Sequence, residues 1–186
     1  MAERLITPEA MLSYPALSKP RATPSGELKY GCVLVFQEGA DLSALKNAAL
    51  AALEERWGAK AKEMLQKNQL KWPFRDGADR DAQGYGPGTT FINVSSNQQP
   101  GVVDRYAGAD GKPRLITDLS ELYPGCFVHA SVRPFTYDTN GSKGVSFALH
   151  NLQKLRDGER IDGRLRPEDE FEAIERGGAD VDDLLG

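Results

Sequence analysis

A chain of 186 residues that is 40% hydrophobic can bury one core, and a second full domain would be cramped. The longest apolar run, Cys32 to Phe36, is far too short to cross a bilayer, and the N-terminus lacks the apolar centre of a cleavable signal. A cytoplasmic protein with no membrane contact is therefore expected.

The net charge of -4 conceals a segregation. Pro167 to Gly186 holds eight acids and one base, a balance of -7, while the rest holds 22 bases and 19 acids, a balance of +3. The expected organisation is one domain over residues 1–166 and an acidic, disordered tail over 167–186. Opposite signs suit a polyanion-binding surface with an intramolecular competitor, or equally a solubilising end. Cys32 and Cys126 lie in separate apolar runs with no Cys-x-x-Cys spacing, so buried free thiols are expected.

In chain order, Pro8, Pro15, Pro20 and Pro24 predict an extended entry with one edge strand near Met11 to Leu17 and little helix. Lys29 to Gln37 is rich in β-branched and aromatic residues and reads as a central strand, closed by the turn-prone Glu38-Gly39. From Asp41 the period becomes helical, through Leu42, Leu45, Ala49, Leu53 and Trp57. Asp41 is the expected N-cap, and Gly58 closes or breaks the helix before Lys60 to Lys67.

Leu70 to Pro87 reads as a long loop, a place where function is often carried. Within it Lys71-Trp72-Pro73-Phe74-Arg75 interleaves bases with aromatics, and Tyr85 stands between glycines. Such interleaving fits strand binding, although a tryptophan there serves equally as a plug over one end of the core. Strands resume at Thr89 to Ser95 and around Val102 to Val103. Arg105-Tyr106, followed by Lys112 and Arg114, forms a third cationic group that an ordinary solvated loop explains as well.

Cys126 to Tyr137 and Gly144 to Asn151 are strand-like runs joined through Asn140-Gly141, a pair favoured in type I′ turns because both positions tolerate positive φ. That turn sets partner numbers that sum to 281. Thr136 then faces Val145, Pro134 faces Phe147 and Val132 faces Leu149 on an apolar side. The other side pairs Tyr137 with Gly144, Phe135 with Ser146, Arg133 with Ala148 and Ser131 with His150. Planar groups opposite small ones leave room for stacked bases, and Arg133 and Lys143 are placed to meet phosphates. Burial of the same rings under the helix or tail is the competing reading, and Pro134 threatens the alternation.

Asp76, Asp79 and Asp81 lack the ligand spacing of a calcium loop, and His129 and His150, expected as diagonal neighbours, have no cysteine or carboxylate beside them. There is no P-loop, dinucleotide fingerprint or nucleophile elbow. No metal, cofactor or catalytic residue is expected.

Phe91 to Arg105 (FINVSSNQQPGVVDR), Tyr123 to Glu159 (YPGCFVHASVRPFTYDTNGSKGVSFALHNLQKLRDGE) and Pro73 to Gly77 (PFRDG) resemble, in that collinear set, the single-stranded DNA-binding family encoded by bacteriophages. The likeness spans roughly Lys29 to Phe171. It implies a mainly β chain with one long helix, an OB-fold-like five-stranded barrel that binds single-stranded DNA in phage replication or recombination without catalysis. Phe135 and Tyr137 match aromatic positions of the family's hairpin, and Asn140, Gly141, Lys143 and Gly144 match its turn. Pro134 and Asp138 depart from it, standing where an aromatic and an asparagine are expected.

The expected DNA-binding set is Lys71, Trp72, Phe74, Arg75, Tyr85, Arg105, Tyr106, Arg133, Phe135, Tyr137 and Lys143. By likeness in layout to phage replication proteins with acidic C-termini, Asp180, Asp182, Asp183, Leu184 and Leu185 are expected to dock phage or host replication and recombination proteins. A protein-interaction module that never touches nucleic acid is the alternative class, and a metal-dependent nuclease built on the Asp76 cluster is a third. No oligomeric state is assigned.

Overall fold

The computed structural model describes residues 3–139, 141–165 and 167–174. In chain order these form β1 (Leu5–Ile6), β2 (Ala10–Ala22), β3 (Leu28–Phe36), α1 (Ser43–Trp57), α2 (Ala61–Gln66), β4 (Arg75–Asp76), β5 (Thr90–Ser96), β6 (Gly101–Ala107), β7 (Pro113–Leu115), β8 (Phe127–Thr139), β9 (Ser142–Arg156) and α3 (Pro167–Glu170). Among the described residues no helix is long and apolar enough to cross a membrane.

Five strands close on themselves in the order β8-β2-β3-β5-β9, with β9 pairing back to β8. Two of the seams are short. β2 meets β8 only at Ala10 and Met11, and β5 meets β9 in parallel only at Val94 and Ser95. Strict alternation along each strand sends Leu12, Leu34, Phe36, Ile92, Val94, Val128, Val132, Phe147 and Leu149 into the ring, where each is at most 2% exposed. Leu45, Ala49 and Leu53, one face of α1, complete this core against β8 and β9. Cys32 and Cys126 are free and buried, and burial pushes their thiols up to about 12 and about 11.

Several expectations are corrected. The entry strand is no edge: β2 sits between β3 and β8. It tolerates its prolines because β8 accompanies only its first residues, and the register against β3 shifts on either side of Ala16. The residue preceding α1 is Leu42, without a side-chain cap, and Asp41 lies one position too early. Its carboxylate instead accepts from the Ser43 N–H at 3.0 Å and hydroxyl at 2.6 Å, bonds that hold its carboxyl below the usual range. Gly58, at φ 67°, does break the helix, and a 3-10 turn carries the chain into α2. The long loop is interrupted by β4, which pairs with β5, and by a 3-10 turn at Gly77–Asp79 whose first N–H groups include one capped by Asp76.

In the β8–β9 hairpin the expected register holds from Thr139–Ser142 through Val132–Leu149, straight past Pro134. It then fails. A bulge makes Ser131 face Asn151, leaving His150 as the extra residue, and His129 faces Gln153. The expected Ser131–His150 pair and the diagonal pair of histidines are therefore both wrong, because alternation cannot foresee an inserted residue. The start of the tail, expected to be disordered from Pro167, makes one helical turn closed by the Phe171 N–H on the Pro167 carbonyl. Asp180, Asp182, Asp183, Leu184 and Leu185 lie outside the described residues, as does Asn140 of the turn.

Candidate nucleic-acid interface

Odd-numbered residues of β3, β5 and β8 face outward, opposite the core, and so do even-numbered residues of β9 from Ser142 up to the bulge at His150. On β8 this brings out Arg133, Phe135 and Tyr137. Phe135 is 37% exposed and Tyr137 half-buried, with ring centroids 6.4 Å apart and tilted by 53°.

The segment after α2 reaches this hairpin through its backbone. The Lys71 N–H donates to the Lys143 carbonyl at 2.9 Å, and the Val145 N–H donates to the Lys71 carbonyl at 3.2 Å. Gly144 is what permits the approach, since a Cβ there would press into the Lys71 carbonyl oxygen and lie 2.8 Å from its nitrogen. The expectation that Gly144 leaves space above Tyr137 for a base is thus corrected: that space holds the Lys71 backbone. The docking sets Lys71 and Trp72 in one groove with Tyr137.

Between this segment, the hairpin and the β2–β3 turn lies a groove of about 610 Å³, lined by Lys71, Trp72, Arg75, Phe135, Tyr137 and Lys29, with Ser146 on its floor. Past Lys29 and Phe135 it continues into a depression of about 400 Å³ that adds Arg133 and His150. Cations and rings line both, with Lys29 and Phe135 shared between them. Glu27, 3.7 Å from the Lys29 ammonium, is the acid that lines the larger groove. The His150 Nε2 is shielded and finds no hydrogen-bond partner among the described residues. Burial, then the charges of Arg4 and Arg133, hold its pKa below the ordinary 6.5. His150 therefore sits, with one ring nitrogen unpartnered among the described residues, in the field of Arg4 and Arg133.

The other expected site residues are placed elsewhere. Phe74 leans edge-on against the core ring of Phe147 at 5.8 Å and holds Trp72 at 5.3 Å, with the Lys46 ammonium 5.8 Å from its centroid; it supports the groove rather than lining it. Tyr85 caps a satellite cluster of Met11, Val33, Val35 and Phe91, donating its hydroxyl to Ser13 Oγ at 2.8 Å. Lys143 faces Asp138 across the hairpin tip. Arg105 and Tyr106 stack on one another on β6, beyond β9 from the groove, and Arg105 donates to the Leu155 carbonyl at 3.3 Å. Among the described residues no three His, Cys, Asp or Glu side chains cluster to hold a metal.

Lys29, Glu27 and the groove-facing role of His150 were not singled out by the sequence. The signal for Lys29 was parity: with Cys32, Leu34 and Phe36 inward, Lys29 must point outward. Nothing local in the sequence marked Glu27 or the bulge at His150.

Comparison with known proteins agrees with this architecture. The structure superposes on the single-stranded DNA-binding protein of bacteriophage Enc34 in complex with single-stranded DNA at a TM-score of 0.59 and 20% identity, covering 85% of this chain and 89% of that one. It superposes on gp2.5, a single-stranded DNA-binding protein encoded by bacteriophage T7, at a TM-score of 0.60 and 14% identity, covering 88% and 97%. In sequence it is 31% identical over 163 residues, 82% of this chain and 83% of the relative, to putative protein p50 of Acyrthosiphon pisum secondary endosymbiont phage 1. None of these descriptions names an enzyme. The model of the Enterobacter phage Enc34 single-stranded DNA-binding family matches residues 3–185, nearly the whole length, and the chain belongs to that family.

Proposed function

We propose that this protein binds single-stranded DNA with little sequence preference, laying the strand along the groove that runs from Trp72 and Tyr137 past Phe135 to Arg133 and His150. The observation that carries the reading is the convergence of three rings and three cations, Trp72, Phe135 and Tyr137 with Lys29, Lys71 and Arg75, on one open groove. Rings supply stacking worth about 1–3 kcal/mol per base, and cations supply the salt-sensitive phosphate term. The closed five-strand ring with a helix packed on it is of the OB type, whose outer sheet face is the usual strand-binding surface.

The test is anisotropy of a labelled oligothymidine at several salt concentrations. Four groove cations, Lys29, Lys71, Arg75 and Arg133, give a log–log slope near about -3 at about -0.7 per phosphate. Salt-independent binding, or none, refutes the proposal.

The role that follows is protection and presentation of single strands during phage DNA replication or recombination, in the cytoplasm of the host cell. The acidic tail competes with DNA for the groove and docks partner proteins. Ending the chain at Arg166 removes a charge of -7 and should raise affinity at low salt; unchanged affinity leaves docking without self-competition.

A further inference from the structure

Beside the main groove, on the shelf made by β2 and β3, stands an aromatic ring in a backbone conformation that tyrosine rarely adopts. Tyr14 has a φ of 46°. Its neighbours explain the geometry: Ser13 pairs with Val33 and Ala16 with Gly31, so the Tyr14-Pro15 step contains one residue more than β3 opposite. By plain alternation Tyr14 would follow Leu12 into the core. The bulge turns it outward instead, 45% exposed, and the chain re-enters the core only at Leu17. A left-handed tyrosine on a bulge is costly and persists where the surroundings enforce it, commonly at binding sites.

The surroundings have the chemistry of a nucleotide site. The Arg80 guanidinium lies 4.6 Å from the Tyr14 centroid and backs the ring. Arg21 and Lys29 stand directly opposite one another across the β2–β3 ladder, a concentration of like charge that the exposed Glu27, 3.7 Å from the Lys29 ammonium, offsets in part. Arg21 also reaches the Tyr14 and Pro15 carbonyls at 3.5 and 3.4 Å, which holds it over the bulge. A hollow of about 170 Å³ is lined by Tyr14, Arg21, Lys29, Gly31, Asn93 and Ser95. Lys29 lines both this hollow and the main groove, so the two are continuous.

We propose that Tyr14, Arg21 and Lys29 form a second subsite that takes a further nucleotide of the same single strand, its base against the Tyr14 ring and its phosphate between Arg21 and Lys29. This rests on the binding function proposed above and extends it: the main groove sets affinity for a short strand, and the shelf adds affinity only for a strand long enough to reach it.

The experiment measures affinity for oligothymidines from about 4 to about 16 nucleotides with the full chain, with Tyr14→Gly and with Arg21→Gln. Glycine accepts the positive φ, so Tyr14→Gly removes the ring without backbone strain and keeps its thermal stability. The expected result is unchanged affinity of both variants for the shortest oligonucleotide that binds, and a loss of about tenfold for long ones with Tyr14→Gly. An equal loss at every length, or no loss at any length in a wild-type background that does gain with length, overturns the subsite. Failure of the wild-type chain to bind any oligothymidine instead overturns the function on which it rests.

Discussion

Gly144→Ala offers a direct test of how the groove is assembled. The new methyl would collide with the Lys71 carbonyl oxygen and lie 2.8 Å from the Lys71 nitrogen and 2.9 Å from its Cβ, so the backbone of residue 71 must retreat. Retreat strains or breaks two hydrogen bonds, Lys71 N–H to Lys143 at 2.9 Å and Val145 N–H to Lys71 at 3.2 Å. At about 0.5–1.5 kcal/mol each, with residual overpacking, the loss of stability is about 2–3 kcal/mol. The functional cost is separate. Trp72 and Lys71 move away from Tyr137, and the loss of one stacking ring and one phosphate contact weakens DNA binding by about 1–3 kcal/mol. Thermal melting reads the first effect and anisotropy the second, below the melting transition. The chain has two tryptophans, and only Trp72 lines the groove, so DNA-induced quenching of tryptophan emission should also shrink. Gly86→Ala is the control: nothing lies within 4 Å of its added methyl and its φ is not positive. Melting and affinity both equal to wild type in Gly144→Ala would show that Lys71 does not dock on β9, and the groove as described would be wrong.

Other expected outcomes concern the groove directly. Phe135→Ala and Tyr137→Ala should each weaken binding by about 1–3 kcal/mol while melting changes little; a folded double variant with wild-type affinity would show that these rings do not stack on bases. Glu27→Gln should tighten binding a few-fold at low salt by releasing Lys29 from an exposed pair worth about 0.2–1 kcal/mol, and weaker binding would mean that Glu27 orients Lys29 instead. Affinity should rise as pH falls through the histidine range. In the free protein burial, with Arg4 and Arg133, keeps the His150 pKa below 6.5, and Lys29 lines the same depression; a phosphate there offsets those cations and raises it, so binding takes up a proton. The gain begins at the bound pKa and ends at the free one. His150→Gln should flatten the profile and His129→Gln should not; the reverse pattern would remove His150 from the interface.

The hairpin was the most legible part of the chain because its information is local. Asn140-Gly141 sets the turn, the turn sets partner numbers, and all eight pairings from Thr139–Ser142 to Val132–Leu149 follow. Pro134 did not disturb them, since among the described residues no strand other than β9 accompanies β8 beyond Val132. The bulge at His150 was illegible because no residue type marks an inserted position; it lies where β1 joins β8 at Ser131 and Val132 and β6 joins β9 from Asn151. Trp72 and Arg75 were found from composition, but the roles of Phe74 and Tyr85 were not separable from theirs in sequence. Phe74 differs only in meeting Phe147, a residue more than seventy positions away, and Tyr85 only in meeting Ser13 and Phe91. The shelf around Tyr14 was hidden by a positive φ that no pattern of residue types announces.

A body charged only +3 is a weak attractor for a polyanion if its charge is spread evenly, and the pairing pattern shows that it is not. Many cations away from the groove are already engaged: Arg114 with Asp104 and Glu121, Arg156 with Glu9, Arg160 with Asp162, Lys67 with Glu63 and Lys62 with Glu54. Those pairs cancel locally and contribute little field at a distance comparable to the Debye length. Lys29, Lys71 and Arg75 share the groove with Glu27, and Arg133 extends the cationic lining into the adjoining depression. The net charge seen by a strand is therefore that of this strip and not that of the whole chain. Moving one acid into it, or one cation out, should change the salt slope by about one phosphate's worth, whereas neutralising a paired cation such as Arg114 should leave the slope unchanged.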